Sequence, residues 1–213
     1  MIPLFHDFRG ERVLVFGGGA VGARKARRFA REAEVLVVAP EFADREFGGA
    51  TLLSGAPDPG EVGAWINRID PALVVAATDD EAVNAAVEAA ARERGILVNR
   101  ADRSGERDPG SVVVPATARD DPVVVAIATG GQAPVLSGYL REDAGTLIEG
   151  TGALAGLLGD LRDELDEHGV ETRKRRQALR AVVESSAVRE ALREGDRETA
   201  HEKAVGIVEE FGE

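Results

Sequence analysis

Val13-Leu-Val-Phe-Gly-Gly-Gly-Ala-Val-Gly-Ala-Arg-Lys-Ala26 decides the fold of this 213-residue chain. The apolar run Val13–Phe16 stops at Gly17, and Gly17, Gly19 and Gly22 then fit G-x-G-x-x-G. Small and apolar residues continue at helical spacing to about Ala33. A second apolar run, Val35–Val38, completes a βαβ unit. Strand, glycine turn and helix in that order form a dinucleotide site. Gly17 permits the tight turn, Gly19 lets the backbone approach a pyrophosphate, and Gly22 lets the helix pack close to the strand. The helix N-terminus then faces the anion.

The pattern continues outward. Thr51–Leu53 and Ala72–Ala77 read as strands, and Asp58–Val62 opens a short helix. Thr78-Asp79-Asp80 caps a helix from Glu81 to Arg94, which Gly95 ends, and Ile96–Val98 is the next strand. Strands alternating with helices predict a parallel sheet covered on both faces. From Ser111 the alternation stops. Val112–Pro115 and Val123–Ala128 are expected to pair antiparallel, as a hairpin-like extension of the main sheet. Thr129-Gly-Gly-Gln-Ala-Pro134 is a second glycine turn before a helix from Val135 to about Glu142. From Ala153 onward the chain is charged and helical, either a small domain or an extended arm.

Composition narrows the function. The chain has 44% hydrophobic and 30% charged residues, as a globular protein does, and no apolar run approaches a bilayer span of about 20 residues. No secretory signal pattern opens it, and it has no cysteine, so a cytoplasmic location is expected. Absence of cysteine excludes disulfides, thiolate nucleophiles and cysteine metal sites. The net charge of −12 argues against nucleic-acid binding. Only three of the 26 basic residues are lysines, which fits either a salt-rich cytoplasm or arginine-biased coding. His6, His168 and His201 are scattered, so no metal-ligand set is assigned.

Residues that can carry chemistry follow the strand ends. Pro40 and Glu41 follow the second strand, where an acidic side chain binds ribose hydroxyls and disfavours a 2′-phosphate, favouring NAD over NADP. Glu41 equally suits a helix cap. Capping also accounts for Thr78 and Asp79. Asp102 lies past a strand, in a loop that runs on through Arg103–Pro109, with no such explanation, and a carboxylate there can act as a general base or help bind a metal.

Together these residues resemble the precorrin-2 dehydrogenase / sirohydrochlorin ferrochelatase family, the siroheme synthase N-terminal module in its stand-alone form. The resemblance rests on Ile2–Phe5, Val13–Ala26, Leu73–Asp80 with Val83-Asn84, Val98–Asp102, Val114-Pro115, Ala126–Leu136 and Leu140–Glu142. It implies a Rossmann-type NAD-binding domain over 1–112, a small β-containing dimerisation segment over 113–147, and a helical C-terminal domain over 148–213. It also implies oxidation of precorrin-2 to sirohydrochlorin with NAD, and in some members insertion of ferrous iron, with cobaltous ion as another candidate substrate. Asp102 matches the family's catalytic aspartate. Gly17, Gly19, Ala20, Val21, Gly22, Pro40, Glu41 and Thr78 are the expected cofactor contacts. Thr129 and Gly130, with Arg100 and Arg141, are the expected substrate contacts. Arg103, Arg107 and Arg119 are further candidates, since arginine pairs bidentately with the substrate's eight carboxylates. The family is homodimeric. An NAD-sensing regulatory module without catalysis is the alternative; it would need neither the Asp102 loop nor the second glycine turn.

Overall fold

In the computed structural model, which describes residues 2–103 and 111–211, the chain divides into two units, Met1–Val114 and Pro115–Glu213. The first holds five parallel strands: β1 (Arg12–Phe16), β2 (Glu34–Ala39), β3 (Thr51–Ser54), β4 (Leu73–Ala76) and β5 (Leu97–Arg100). Their spatial order is β3-β2-β1-β4-β5, a doubly wound arrangement whose order reverses at β1. Helices α1 (Ala20–Phe29), α2 (Val62–Ile69) and α3 (Glu81–Glu93) connect them. The period-two geometry of β1 splits its side chains between two cores. Leu14 and Phe16 pack with Val62 and Ile66 of α2 and Val83 and Val87 of α3. Val13 and Val15 pack with Ala23 and Ala26 of α1 and with Phe47. The sheet is thus buried on both sides, as its continuous apolar strands require.

The second unit opens with the antiparallel hairpin β6 (Ala116–Asp120) and β7 (Val123–Ile127), on which α4 (Pro134–Ile148) packs. Helices α5 (Thr151–Glu167), α6 (Thr172–Glu184), α7 (Ser186–Arg193) and α8 (Arg197–Glu209) follow. Leu154, Leu157 and Leu161 lie on one face of α5. They share a core with Val182, Val188, Leu192, Ala200 and Ala204, so the charged tail is a packed helical domain rather than an arm. The Ser185 hydroxyl caps α7, and the Asp196 carboxylate caps α8.

Two sequence expectations need correction. The hairpin's first strand is Ala116–Asp120, not Val112–Pro115. Pro115 has no N–H to give a ladder, and Val112 instead donates its N–H to Val98 O in the first unit. The hairpin is also a separate two-stranded sheet rather than an extension of the five-stranded one. Arg119 and Asp120 end the first strand, so the turn is only Asp121-Pro122.

Candidate functional site

The glycine turn is shaped by what a side chain would strike. Gly17 has φ +119°, and a Cβ there would run into the Ala77 carbonyl beyond β4. A Cβ on Gly22 would overlap the Gly17 carbonyl, so α1 can approach β1 only with glycine at that place. Gly18, the glycine outside the G-x-G-x-x-G spacing, is equally constrained. Its missing Cβ leaves room for the Glu41 carbonyl and the Ala39 methyl, and its own carbonyl accepts from Ala43 N. Gly19 is different: a Cβ there would meet nothing within 4 Å. It is the extended N-cap of α1, with no side chain bonding its N–H groups, so the turn is open on the side where a phosphate approaches.

A cavity of about 710 Å³ lies over this turn, at the carboxyl ends of β1, β2 and β4. Gly17, Gly19, Ala20, Val21, Pro40, Glu41 and Thr78 line it together, while Gly22 supports the turn from beneath. No helix follows Glu41; the chain continues as a loop toward β3, so the capping alternative for Glu41 falls away. Thr78 is not a helix cap either. Asp80 takes that role, its carboxylate accepting from the N–H groups of Ala82 and Val83. The Thr78 hydroxyl bonds to Asn84 Oδ1 at 2.8 Å, and Asn84 Nδ2 returns a bond to the Thr78 carbonyl. Asn84 is buried, and this pair fixes the cavity wall beyond β4. In the sequence, Asn84 is legible only through the resemblance, and the G-x-G-x-x-G spacing does not mark Gly18. The run of three consecutive glycines was the signal that could have found Gly18.

Residues 56–59 also line the cavity, although from the sequence Asp58–Val62 is expected only to open the following helix. The cradle of glycines, the open N-terminus of α1 and an acidic residue at the end of β2 are together the donor set that fits a dinucleotide.

β5 carries the second half of the first unit's chemistry. Asn99 is buried, accepts from Lys25 Nζ at 2.8 Å and donates to the Val112 carbonyl at 2.7 Å. With the Val98–Ser111 bridge, this ties the far end of the Asp102 loop back to β5. Arg100 points inward and is almost wholly buried. Its Nε and one terminal nitrogen hold Asp102 Oδ1 and Oδ2 at 2.9 and 2.6 Å. The other terminal nitrogen donates to Glu88 at 2.9 Å, and the nitrogen that holds Oδ2 also donates to Glu81 at 2.8 Å. Arg103 pairs with Glu81, and Arg92 pairs with Glu88. This fork holds the Asp102 carboxyl down to about 2 from its ordinary 3.8, chiefly through the Arg100 hydrogen bonds and against desolvation.

In the second unit, Gly130 and Gly131 both have positive φ, and the Thr129 hydroxyl bonds to Ser137 Oγ and the Ala133 carbonyl at the start of α4. Arg141 lies on α4, 3.0 Å from the neighbouring Glu142. Arg119 lies 3.6 Å from Asp121. Arg107 falls outside the described residues. Among the described residues, no group of three or more His, Cys, Asp or Glu side chains is arranged to hold a metal ion, and no helix is long and apolar enough to cross a membrane.

Comparison with known proteins bears on both units. Residues 4–116 match the family described as “Putative NAD(P)-binding”, and residues 150–205 match the sirohaem synthase dimerisation region. A siroheme synthase of Pseudomonas fluorescens (strain Pf0-1) is 41% identical over 172 residues, covering 77% of this chain and 35% of that protein. The siroheme synthase of strain SBW25 is 37% identical over 204 residues, covering 92% of this chain and 42% of its own length. The chain therefore spans less than half the length of these curated relatives. Among solved structures, SirC, precorrin-2 dehydrogenase, superposes with a TM-score of 0.71 at 21% identity, covering 99% of this chain and 100% of that one; this is a likeness of fold.

Proposed function

The chain belongs to the siroheme synthase N-terminal family, which joins an NAD(P)-binding module to a dimerisation region, and on that premise we propose that it oxidises precorrin-2 to sirohydrochlorin with NAD. The observation that carries this reading is one module holding both a glycine-floored dinucleotide cavity and, after β5, a carboxylate kept ionised by a buried arginine. A module that only sensed the dinucleotide would not need the second feature.

Gly17, Gly18 and Gly19 floor the pyrophosphate position, and the α1 N-terminus offers its free N–H groups to it. Glu41 accepts from ribose hydroxyls and repels a 2′-phosphate, which makes NAD the preferred dinucleotide. Bound NAD supplies the hydride acceptor. The substrate gives up a hydride, whose electron pair leaves with it, and a proton, whose bonding pair stays behind and extends the conjugated system. The Asp102 carboxylate is the residue that receives or stabilises the departing proton. Because Arg100 keeps it ionised, it is available as an acceptor across the working pH range. It is a weak base, so the proton passes on to solvent. Thr129, Gly130 and Arg141 are proposed substrate contacts.

Ferrous or cobaltous ion is proposed as a second substrate, taken up by the macrocycle's own nitrogens. The protein acts as a homodimer in this reading. Val135, Leu136, Tyr139 and Leu147 of α4, all exposed and apolar, support that assignment.

The test compares wild type with Asp102→Ala. Wild type should convert precorrin-2 to sirohydrochlorin with NAD. The variant should lose at least about 100-fold in kcat while its NAD affinity stays within about twofold. A wild type that binds NAD and oxidises no precorrin-2 would favour the sensor reading. Adding ferrous or cobaltous ion to the sirohydrochlorin formed reads out metal insertion in the same sample.

A further inference from the structure

Arginines at the substrate end of such a site are expected to reach out to substrate carboxylates, and Arg100 does the opposite. Its side chain is 3% exposed, and four hydrogen bonds turn its guanidinium onto three carboxylates of its own chain. We infer that Arg100 is a positioning residue for the proposed oxidation: its planar fork fixes both oxygens of Asp102, while Glu88 and Glu81 hold the fork from behind. This rests on the functional reading above.

The geometry is specific. Nε and a terminal nitrogen take the two Asp102 oxygens side by side, the bidentate arrangement that only a guanidinium provides. The remaining terminal nitrogen is aimed at Glu88, whose side chain is itself only 9% exposed. Glu88 lies two turns into α3 from Glu81, and Glu81 follows the cap residue Asp80, which lines the dinucleotide cavity. One helix thus contributes the wall of the cavity and the rear anchors of the fork. Arg100 is the last residue of β5, two residues before Asp102. The strand end and the helix start therefore set where Asp102 stands, even though it belongs to a loop.

The fork sits within a wider set of ion pairs. Arg103 pairs with Glu81 and Arg92 with Glu88, so the carboxylates that hold Arg100 are themselves held by cations. A buried guanidinium in this setting has its charge answered within the protein. A bidentate grip on a substrate carboxylate would require breaking bonds that hold the guanidinium to Asp102, Glu81 or Glu88.

Arg100→Lys tests the assignment, because lysine keeps the charge and loses the fork. The readouts are kcat, the KM for precorrin-2, the Kd for NAD, and the carboxyl carbon-13 signal of Asp102 followed as pH is lowered, assigned by its loss in Asp102→Asn. The inference predicts a fall in kcat of about 100-fold with KM within about threefold and NAD affinity unchanged. It also predicts that Asp102 in wild type stays ionised through its ordinary range near 3.8, and titrates about one unit higher in Arg100→Lys. A variant with wild-type kcat and a KM raised about tenfold or more would overturn it, since that marks a substrate contact. An Asp102 signal that titrates identically in both proteins would overturn it as well. If wild type shows the protected Asp102 signal yet oxidises no precorrin-2, the fork stands. The functional reading then falls, and the positioning role with it.

Discussion

Asp102 and its partner show how far a residue's surroundings decide its chemistry. Sequence spacing put a carboxylate just past a strand and an arginine two residues before it. Nothing in the spacing said that the arginine faces inward, because Glu88 and Glu81 are reached only once α3 packs beside β5. The same fork has a consequence for stability. Asp102 binds its proton less readily in the folded protein than in the unfolded chain, so its contribution is present in full above about pH 4. It is lost as pH falls through about 2. Solvent access at this loop limits the effect to the order of 1 kcal/mol. Urea midpoints measured across the acid range should therefore fall more steeply for wild type than for Asp102→Asn. Parallel curves would contradict the fork. Glu41 gives a second prediction at this scale. Glu41→Ser should improve use of NADP relative to NAD by about tenfold, a change near 1.4 kcal/mol, read from the ratio of kcat/KM values.

Among the elements, the glycine turn was the most legible, because its constraints are local. Strand, turn and helix occupy consecutive residues, so Gly17 and Gly22 could be assigned their places from spacing alone. Gly18 could not, since what it makes room for is the end of β2, some twenty positions away. Substitution should separate the glycines' roles. Gly18→Ala must displace the Glu41 carbonyl and should cost about 1–3 kcal/mol of stability, seen as a lowered melting temperature. Gly19→Ala meets open space and should fold with stability within about 0.5 kcal/mol of wild type. Calorimetry should nevertheless find its NAD affinity reduced at least tenfold, roughly 1.4 kcal/mol, because the methyl stands where the pyrophosphate approaches. Equal stability for the two variants would contradict this division. The hairpin was the least legible element. Ala-Thr-Ala-Arg-Asp from 116 to 120 lacks the apolar signature that drew attention to Val112–Val114. It nevertheless pairs along its whole length with Val123–Ile127. Cross-strand pairing and the packing of α4 determine it, and neither is written in the strand's own hydrophobicity.

At the scale of the whole molecule, the charge pattern and the apolar face of α4 raise the remaining questions. A net charge of −12 would repel a substrate with eight carboxylates, so any attraction must come from local arginines. Two of the candidates, Arg100 and Arg103, are already paired with glutamates of α3. The exposed Val135, Leu136, Tyr139 and Leu147 predict a homodimer that sediments at about twice 22.5 kDa. A Val135→Asp/Tyr139→Asp double variant should sediment as a monomer while keeping its helical circular-dichroism signal. A double variant that remains dimeric would move the contact away from α4. Oxidation of a tetrapyrrole by a dinucleotide held above the glycine turn can be read in a single reaction. Purified protein is mixed with precorrin-2 and NAD, and sirohydrochlorin and NADH are quantified together from their absorbance. Both should appear in equal amounts, and neither should form with Asp102→Ala. Tight NAD binding with no sirohydrochlorin formed would contradict it.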